Sequence, residues 1–424
     1  MYPCTLKICV IGLGYIGLPT ASILATKGFT VLGCDVNSNV VQTINRGEIH
    51  IVEPGLDILV RSAVQSGRFS AFTTPQIADI YIIAVPTPFK DDHQPDVSYV
   101  DAATTAIAPL LRPGALIILE STSPIGTTER VTKCLSTLRP ELSTTSDESI
   151  DNRVYVAHCP ERVLPGNILQ ELVENDRIIG GIDQASAEKA REFYKTFVQG
   201  EIFLTNARTA EMSKLAENSF RDVNIAFANE LSIICQNLDI NVWELIFLAN
   251  HHRRVNILQP GPGVGGHCIA VDPWFIIDAA PDDSHLIRAA REVNDKKPFH
   301  IIERTMRAAA RFKNPVIACF GLSFKANIDD LRESPALQIV LELSKRNVAR
   351  LLVVEPFIEV LPASLEEWHP EVMLVDVETA LLQADIVLLL VDHKQFYQID
   401  VASLSEKVVI DTKGLWEPVS KISY

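Results

Sequence analysis

Short apolar segments separated by helical segments fill the first half of the chain. A buried strand, KICVI, starts at residue 7 and runs into a glycine turn, and the helical segment after it ends at Gly28. The runs TVLGC, IYIIAV, ALIIL and VYVAH follow, each rich in apolar and β-branched residues. Strands that are apolar along their whole length and alternate with helices are typical of a parallel sheet covered on both faces. The pattern therefore predicts a doubly wound α/β domain.

The pattern changes at about Thr209. Apolar residues then recur at helical spacing, without Gly or Pro, to about Asn250, which predicts a long helix followed by further helices. Four short buried strands return in PVIACF, ARLLVV, ADIVLLLV and KVVID, and ADIVLLLVD resembles the earlier ADIYIIAVP. We predict two Rossmann-like doubly wound parallel-sheet domains, residues 1–208 and 313–424, joined by a central helical domain, residues 209–312.

Composition and charge exclude several classes of protein. Of the 424 residues, 47% are hydrophobic and 21% are charged, as in ordinary soluble enzymes. The net charge is −15 and there is no long Lys/Arg block, so neither nucleic acid nor an anionic membrane is an expected partner. No apolar run reaches the roughly 18 to 20 residues of a membrane helix. We expect a cytoplasmic protein whose eight scattered cysteines stay reduced.

The segment GLGYIG places three glycines between the first strand and the first helix. Gly12, Gly14 and Gly17 form a GxGxxG pattern, and Asp35 closes the next strand at the spacing of an acid that accepts ribose hydroxyls. Glycines let the backbone approach a pyrophosphate, although a tight structural turn would also explain them. The strand, helix and acid together predict dinucleotide binding. An acid favours NAD over NADP, because a 2′-phosphate would face a like charge.

Lys214 and Asn218 lie four residues apart on the predicted long helix and therefore share one face. A solvated lysine beside a polar neighbour is the structural interpretation of such a pair. Lys and Asn are also suitable donors to a developing alkoxide. Their position on the helix expected to face the cofactor domain favours the catalytic interpretation.

Cys268 lies in the unusual segment GPGVGGHCIAVDP, residues 261–273. Loops rich in glycine expose side chains and approach ligands closely. An alcohol can give one hydride to NAD, but the resulting aldehyde has none to give until a nucleophile adds to it. A thiolate adduct, the thiohemiacetal, permits a second oxidation and leaves a thioester for water to cleave. A nearby Lys would favour the thiolate, so NAD with Cys268 suggests the oxidation of an alcohol to an acid.

Two His-Cys pairs, at 158–159 and 267–268, raise the alternative of a zinc site. Their spacing matches no common zinc motif, so we expect no metal. His267 is interpreted as a structural or substrate-lining residue.

The chain resembles the UDP-glucose/GDP-mannose dehydrogenase family, the UDP-sugar 6-dehydrogenases, along its whole length. The resemblance rests on VIGLGYIGLP, VPTP, ESTSPIGTT, CPERVLPG, AEMSKLAENSFRDVNIAFANEL, RVNILQPGPGVGGHCIAVDPWF and GLSFKANIDDLRESPA. Within the family, GPGVGGHCIAVDPWF and CPERVLPG are most similar to the bacterial enzymes that oxidise UDP-N-acetyl-D-mannosamine. The resemblance implies a four-electron oxidation of the C6 alcohol to UDP-N-acetyl-D-mannosaminuronate with two NAD+. It also implies a role in surface polysaccharides such as enterobacterial common antigen or capsule.

The resemblance also implies a role for each matching catalytic position. Cys268 would be the nucleophile, and the Lys and Asn of the long helix would stabilise the oxyanion. Asp272 and Thr122 would place a water and carry protons, and Glu161 would assist thioester hydrolysis. The complete implied catalytic set is Cys268, Lys214, Asn218, Asp272, Glu161 and Thr122.

Cofactor and substrate positions follow from the same resemblance. Those implied for NAD are Gly12, Gly14, Tyr15, Ile16, Gly17, Asp35, Pro86, Thr87, Thr122 and Arg332. Those implied for the UDP-sugar are Arg162, Val163, Leu164, Lys214, Asn218, Arg254, Gly261, Gly263, Gly265 and Lys325. The long helix of the family forms a dimer, so we expect a homodimer or a dimer of dimers in which Arg254 is supplied across the interface. Arg253 stands where close relatives usually have Pro, which leaves open which arginine meets the diphosphate.

Other functions remain open from the residues alone. UDP-N-acetylglucosamine or UDP-glucose could undergo the same chemistry, because the sugars differ by one stereocentre or one substituent. A two-electron hydroxyacid-type or 6-phosphogluconate-type dehydrogenase also places Lys and Asn one helical turn apart, and it would leave Cys268 idle. The second Rossmann-like domain argues against that class. A non-enzymatic NAD sensor is disfavoured because every expected polar side chain is present.

Overall fold

The computed structural model describes residues 6–90, 93–144, 150–163, 166–266, 268–347, 349–368 and 370–416. The chain divides into two compact units, of which the first comprises residues 1–217 with 274–280 and the second comprises residues 218–273 with 281–424. The domain boundaries that we place after residues 208 and 312 stay predictions.

The first unit contains an eight-stranded sheet with the order β3-β2-β1-β4-β5-β6-β7-β8. Its strands are β1 Lys7–Ile11, β2 Thr30–Cys34, β3 Phe69–Phe72, β4 Ile80–Ile83, β5 Leu116–Leu119, β6 Tyr155–His158, β7 Arg177–Gly181 and β8 Ile202–Asn206. The strand order reverses between β1 and β4, which is where doubly wound sheets bind nucleotides. The predicted parallel, doubly wound sheet is therefore confirmed, with β7 as an exception, because it pairs antiparallel to β6.

Helices cover both faces of this sheet. They are α1 Gly17–Thr26, α2 Ser38–Asn45, α3 Leu56–Gln65, α4 Ser98–Ile107, α5 Thr127–Leu138, α6 Ile168–Glu174 and α7 Gln184–Tyr194. Alternate residues of β1 enter different cores, with Ile8 and Val10 in one and Cys9 and Ile11 in the other. Both faces of the strand are buried, which explains why it is apolar along its whole length.

The long helix α8 runs over Ala207–Asn237 and confirms the predicted long helix. The side chain of Asn206 caps its start by accepting a hydrogen bond from the Thr209 N–H at 2.9 Å. Asp239 adopts a left-handed conformation, with φ 55°, directly beyond its end. Because α8 is one continuous helix that begins in the first unit and ends in the second, it belongs to both.

The second unit contains a five-stranded parallel sheet with the order β11-β10-β9-β12-β13. Its strands are β9 Val316–Phe320, β10 Arg350–Val354, β11 Val372–Leu374, β12 Ile386–Leu389 and β13 Val408–Asp411. The remaining α-helices of the described residues are α9 Val242–Ala249, α10 Asp272–Ala279, α11 His285–Ala309, α12 Pro335–Arg346, α13 Ala363–Glu366 and α14 Val377–Gln383. The sheet confirms the second Rossmann-like arrangement, and it contains β11 in addition to the four predicted strands.

Across the described ranges, no helix combines the length and the apolar character needed to cross a membrane.

Candidate active site

The glycine turn of the first unit lies at the end of β1, at the point where the strand order reverses. Gly12 has φ +89°, and its N–H donates to the Cys34 carbonyl at 2.8 Å. A Cβ at Gly12 would lie against the Ala84 carbonyl oxygen, and one at Gly17 would overlap the Gly12 carbonyl oxygen. A Cβ at Gly14 would meet nothing within 4 Å. The outer glycines are therefore needed for the turn and its packing, and the space beside Gly14 is open to a pyrophosphate.

Asp35 is half-buried directly after β2. Its Oδ2 accepts from the Leu13 N–H at 3.0 Å, and its Oδ1 accepts from the Asn37 N–H at 2.9 Å. These bonds hold the carboxylate next to the glycine turn, as the sequence predicts for an acid that binds ribose hydroxyls. The residues present therefore fit NAD.

Thr87 and Thr122 follow the neighbouring strands β4 and β5. The hydroxyl of Thr87 donates to the carbonyl of Thr122 at 2.5 Å, so the VPTP and ESTSP segments are joined. Both threonines are half-buried, and Pro86 is exposed. Within the first unit the structure thus brings two of the predicted cofactor residues into direct contact. Tyr15 and Ile16 are half-buried in the glycine turn.

Glu161 lies in a buried polar cluster beyond β6. Its Oε2 accepts from Arg177 Nη1 at 2.5 Å, and its Oε1 accepts from the Arg162 N–H at 2.7 Å. The side chains of Glu161 and Arg177 are 3% and 2% exposed, so the ion pair is closed off from water. The guanidinium of Arg162 bonds to Glu217 at 2.7 Å and to the Asp176 carbonyl at 2.5 Å. The orientation of Glu161 is therefore fixed by protein groups.

Glu120 is a second buried carboxyl in this cluster. Tyr194 donates to its Oε1 at 2.7 Å, whereas its Oε2 has no hydrogen-bond partner among the described residues. Burial, and next the negative charge of Glu161, raise the pKa of Glu120 to about 7. Glu120, Arg177 and Tyr194 were not predicted from the sequence, in which the one available signal is an arginine at the start of the apolar run RIIGG.

Lys214 and Asn218 share one face of α8, one turn apart, with Lys214 half-buried and Asn218 buried. Asn218 Nδ2 donates to Asp272 Oδ2 at 2.5 Å. In the second unit the structure thus joins two of the predicted catalytic residues. Of the other predicted catalytic side chains, those of Lys214, Glu161 and Thr122 belong to the first unit, and that of Cys268 belongs to the second.

Cys268 stands one turn before Asp272. Its carbonyl accepts from the N–H of Val271 at 3.0 Å and of Asp272 at 2.8 Å, so both residues are in one turn that leads into α10. Cys268 is exposed, and the other described cysteines are buried or half-buried. Burial raises the pKa of Cys9 to about 11, and it raises the pKa of the thiols at 34, 159 and 319 to about 12. Exposure and a helix N-terminus make Cys268 the best placed of these to form a thiolate.

The glycines before Cys268 have a packing role that the sequence did not reveal. A Cβ at Gly263 would lie 2.9 Å from Pro335, one at Gly265 would overlap the carbonyl oxygen of Glu333, and one at Gly266 would lie 2.9 Å from Phe324. The loop is therefore pressed against the segment that follows β9. The predicted contact of this backbone with a diphosphate stays a prediction.

A cavity of about 380 Å³ adjoins the start of this loop within the second unit. Two basic residues of α11, Lys297 and Arg304, and two acidic residues, Asp239 and Asp411, line it together with Trp243, Gly261 and Thr412. Lys297 donates to Ser232 and to the Asn229 carbonyl, and burial, and then Arg304, lower the pKa of Lys297 to about 8. These side chains therefore give the cavity no excess of formal positive charge.

The remaining predicted residues lie at the surface or outside the described ranges. Arg254 and Lys325 are exposed, and Arg332 is paired with Asp330 at 2.7 Å. Val163 is half-buried against the apolar core of the first unit. Leu164 and His267 lie outside the described residues.

No group of three or more His, Cys, Asp or Glu side chains suited to a metal ion occurs among the described residues. Within the first His-Cys pair, His158 is fully buried, and burial lowers its pKa to about 3.

Family models for three consecutive domains match the chain. The UDP-glucose/GDP-mannose dehydrogenase NAD binding domain matches residues 6–198, the central domain matches 208–296, and the UDP binding domain matches 318–418. The chain belongs to the UDP-glucose/GDP-mannose dehydrogenase family. As a member of this family it is an NAD-dependent oxidoreductase, and its third domain is of the UDP-binding type.

Similar family members include proteins with two different sugar names. The chain is 60% identical over 409 residues to an NDP-N-acetyl-D-galactosaminuronic acid dehydrogenase of Ralstonia nicotianae, with 96% of each chain covered. It is 54% identical to the UDP-N-acetyl-D-mannosamine dehydrogenase of Escherichia coli, with 96% and 99% covered. A solved structure of the UDP-N-acetyl-mannosamine dehydrogenase of Staphylococcus aureus has a TM-score of 0.86 at 42% identity, with 97% and 96% covered.

Proposed function

We propose that this member of the family oxidises the C6 alcohol of UDP-N-acetyl-D-mannosamine to the carboxylate of UDP-N-acetyl-D-mannosaminuronate. The observation that carries the proposal is the turn in which the exposed Cys268 precedes the buried Asp272, with Asn218 bonded to that carboxylate. A two-electron dehydrogenase has no use for a thiol in this position. A four-electron oxidation requires a nucleophile there.

The first oxidation converts the C6 alcohol to an aldehyde. NAD, when bound, accepts the hydride from C6, and two NAD+ are used in each complete reaction. Lys214 and Asn218 are the proposed donors to the developing alkoxide oxygen, because ammonium and amide N–H groups stabilise negative charge there. Asp272 and Thr122 are the proposed proton carriers.

The second oxidation depends on Cys268. Its thiolate adds to the aldehyde carbon, and the C6 hydrogen of the thiohemiacetal can then leave as hydride, which that of the free aldehyde cannot readily do. Loss of that hydride leaves a thioester. Water then displaces the thiolate and gives the acid, and Glu161 is proposed to assist this hydrolysis. The sum is one alcohol, one water and two NAD+ to one carboxylate, two NADH and three protons.

We infer that the nucleotide part of the substrate binds to the second unit. The match of residues 318–418 to the UDP binding domain of the family supports this. The backbone of Gly261, Gly263 and Gly265 and the exposed Arg254 are proposed for the diphosphate. The exposed Lys325 is proposed for the sugar, with Arg162 and Val163 along the sugar nucleotide.

A second candidate substrate has an N-acetylgalactosamine group. It is favoured by the relative that is 60% identical and named for N-acetylgalactosaminuronic acid. Mannosamine and galactosamine derivatives share the acetamido group, and they differ in stereochemistry at C2 and C4. A pocket distinguishes such isomers by small differences in shape and hydrogen bonding.

An NADH-release assay tests both the chemistry and the substrate. Purified protein is incubated with NAD and one of UDP-ManNAc, UDP-GalNAc, UDP-GlcNAc, UDP-glucose or GDP-mannose. We expect the highest kcat/KM with UDP-ManNAc and two NADH for each sugar nucleotide consumed. Cys268→Ser should yield little or no acid. One NADH per sugar, or full activity after alkylation of Cys268, would refute the thioester route. Preference for another sugar would change only the substrate.

We further propose that two chains form a homodimer through α8. Phe220, Phe227 and Ile234 recur every seventh position and are 70%, 51% and 45% exposed, so they form an apolar stripe along the helix. A stripe of this kind is typical of a helix that packs against a partner. Arg254 is the residue proposed to cross the interface. The proposed place of the product is in surface polysaccharide biosynthesis.

A further inference from the structure

The second unit repeats the hydrogen-bond pattern of the NAD crevice. Gly321 has φ +93° and its N–H donates to the Val354 carbonyl at 2.8 Å, as Gly12 does to Cys34. The N–H of Leu322 donates to Glu355 Oε2 at 2.7 Å, as that of Leu13 does to Asp35. Glu355 therefore occupies, after β10, the position that the ribose-binding acid occupies after β2.

Glu355 differs from Asp35 in what surrounds it. Asp35 is half-buried, whereas Glu355 is 4% exposed. The Oε2 of Glu355 also accepts from the Ser323 N–H at 3.1 Å and faces His393 Nε2 at 3.1 Å, and its Oε1 accepts from the Phe357 N–H at 3.2 Å. These protein groups surround the carboxylate, so it cannot serve a ribose as Asp35 does.

His393 links this buried carboxylate to the loop that follows β9. The imidazole is fully buried, and its Nδ1 accepts from the Asn327 N–H at 3.0 Å. A ring nitrogen that accepts carries no proton, so the hydrogen-bond pattern assigns the proton to Nε2, which donates to Glu355. The rings of Phe357 and Phe396 lie 5.1 and 5.3 Å from the imidazole and exclude water from it.

Further bonds tie the same loop at both ends. The Ser323 hydroxyl donates to the Lys325 carbonyl at 2.7 Å, and Asn327 Oδ1 accepts from the Lys394 N–H at 2.9 Å. Residues 322, 323 and 327 are thus anchored to Glu355 or His393. Lys325 lies between these anchored residues. Its carbonyl accepts from the Ser323 hydroxyl, and its side chain is exposed.

We propose that Glu355 and His393 form a buried clamp whose function is to position Lys325 for the sugar of the substrate. In this view the acid that accepts ribose hydroxyls in a dinucleotide crevice is buried here, and it bonds to His393 instead of to a ribose. Both are positioning residues that act through Lys325. The inference rests on the proposed function, in which Lys325 contacts the sugar.

Steady-state kinetics of single and double variants test the clamp. Lys325→Met should raise KM for the sugar nucleotide by about tenfold, because a hydrogen bond to a charged group is lost. His393→Phe keeps an aromatic ring but removes both hydrogen bonds, and it should raise the same KM by a similar factor with KM for NAD unchanged. His393→Asn keeps an acceptor for Asn327 and should have a smaller effect. Lys394→Gln, an exposed neighbour, is the matched control and should change neither.

The double variant Lys325→Met/His393→Phe decides how the clamp acts. If His393 works through Lys325, the double variant has nearly the KM of Lys325→Met alone, since the two effects are not additive. Multiplication of the two factors would overturn the proposal, because His393 would then act independently of Lys325.

Ser323→Ala keeps the buried hydrogen bond between Glu355 and His393 and provides a test if the histidine variants fail to fold. Like His393→Phe, it should raise KM for the sugar nucleotide. Unchanged KM in Ser323→Ala, together with a raised KM in Lys325→Met, would also overturn the clamp. Unchanged KM in Lys325→Met would instead refute the proposed role of Lys325, so the two failures are distinguishable.

Discussion

At the scale of single residues, Asp272 connects the proposed nucleophile to the long helix. Its backbone N–H bonds to the Cys268 carbonyl, and its carboxylate accepts from Asn218. A change at Asn218 is therefore transmitted to the turn that carries the thiol. Because atoms in an active site must be held within fractions of an ångström, we expect a change at Asn218 to affect catalysis through the position of the thiol.

Glu120 gives the first unit a stability that depends on pH. Its pKa is raised from the ordinary value of a glutamate to about 7, so the folded chain binds a proton that the unfolded chain has already lost. The stabilisation is fully present below about pH 4.5 and is lost as the pH rises through about 7. Glu120→Gln removes this titration without a large change of shape.

Urea unfolding at pH 5, 6, 7 and 8 measures the effect. The free energy of unfolding of the wild type, minus that of Glu120→Gln, should fall across this range by on the order of 2 kcal/mol. His158 titrates with the opposite sign, but it is present in both proteins and the subtraction removes it. Glu201→Gln, which changes an exposed glutamate of the same unit, should leave the difference flat. A flat difference for Glu120→Gln would contradict the prediction.

The sequence predicts a site residue where a motif fixes its position in the chain. It does not predict which side chains form hydrogen bonds or ion pairs with one another. Gly12, Asp35 and Cys268 stand at fixed distances from strands or in an unusual loop, so their types and positions are visible in the sequence. Tyr194 and Arg177 meet the carboxylates of Glu120 and Glu161 only after folding, across as many as 74 positions of the chain. No periodicity encodes such a pairing.

At the scale of the element, the loop before Cys268 shows how two glycines can differ. Gly265→Ala would push a Cβ into the carbonyl oxygen of Glu333, which is backbone and cannot turn aside. The nearest atom to a Cβ at Gly261 is Lys413 Nζ at 3.9 Å, the far end of a flexible side chain. We expect Gly265→Ala to lower stability by about 1 to 3 kcal/mol through overpacking, and Gly261→Ala to leave it nearly unchanged.

The measurement is the melting temperature of each of the two variants compared with that of the wild type. The proposed diphosphate contact involves both glycines, so kinetics alone would not separate packing from binding. Equal melting temperatures for the two variants would show that the loop is not pressed against the segment after β9.

Three of the four strands that the sequence missed share a physical cause. β3, β8 and β11 are edge strands, and β7 lies next to an edge. An edge strand has one neighbour and a partly exposed face, as the half-exposed β8 shows, so its apolar pattern is weak. β11 has three residues, too few for any pattern. The buried central strands β1, β4, β5, β9 and β12 were all predicted.

At the scale of the whole molecule, the proposed dimer makes a quantitative prediction about mixed chains. Arg254→Ala and Cys268→Ser are each expected to be nearly inactive. If Arg254 completes the site of the partner subunit, a dimer of one chain of each variant contains one site with both residues intact. Co-expression in equal amounts should then restore about a quarter of wild-type activity, because about half the dimers are mixed.

Arg253→Ala is the matched control for the neighbouring arginine. It should retain activity alone, which would assign the diphosphate to Arg254. No recovery on mixing Arg254→Ala with Cys268→Ser would place Arg254 within its own chain. Sedimentation of Phe227→Glu provides a separate test, since a charge in the apolar stripe should shift the protein toward the monomer.

Because Cys268 is exposed, its alkylation can be used to count the active chains in a preparation. Among the described cysteines it is the exposed one, while burial suppresses the thiolate in Cys9 and the thiols at 34, 159 and 319. Among the cysteines of the described residues, brief alkylation at mild pH should therefore label Cys268, and digestion of the labelled protein identifies the peptide that contains it. The moles of reagent incorporated, plotted against residual NADH production, would give the specific activity per active centre rather than per milligram.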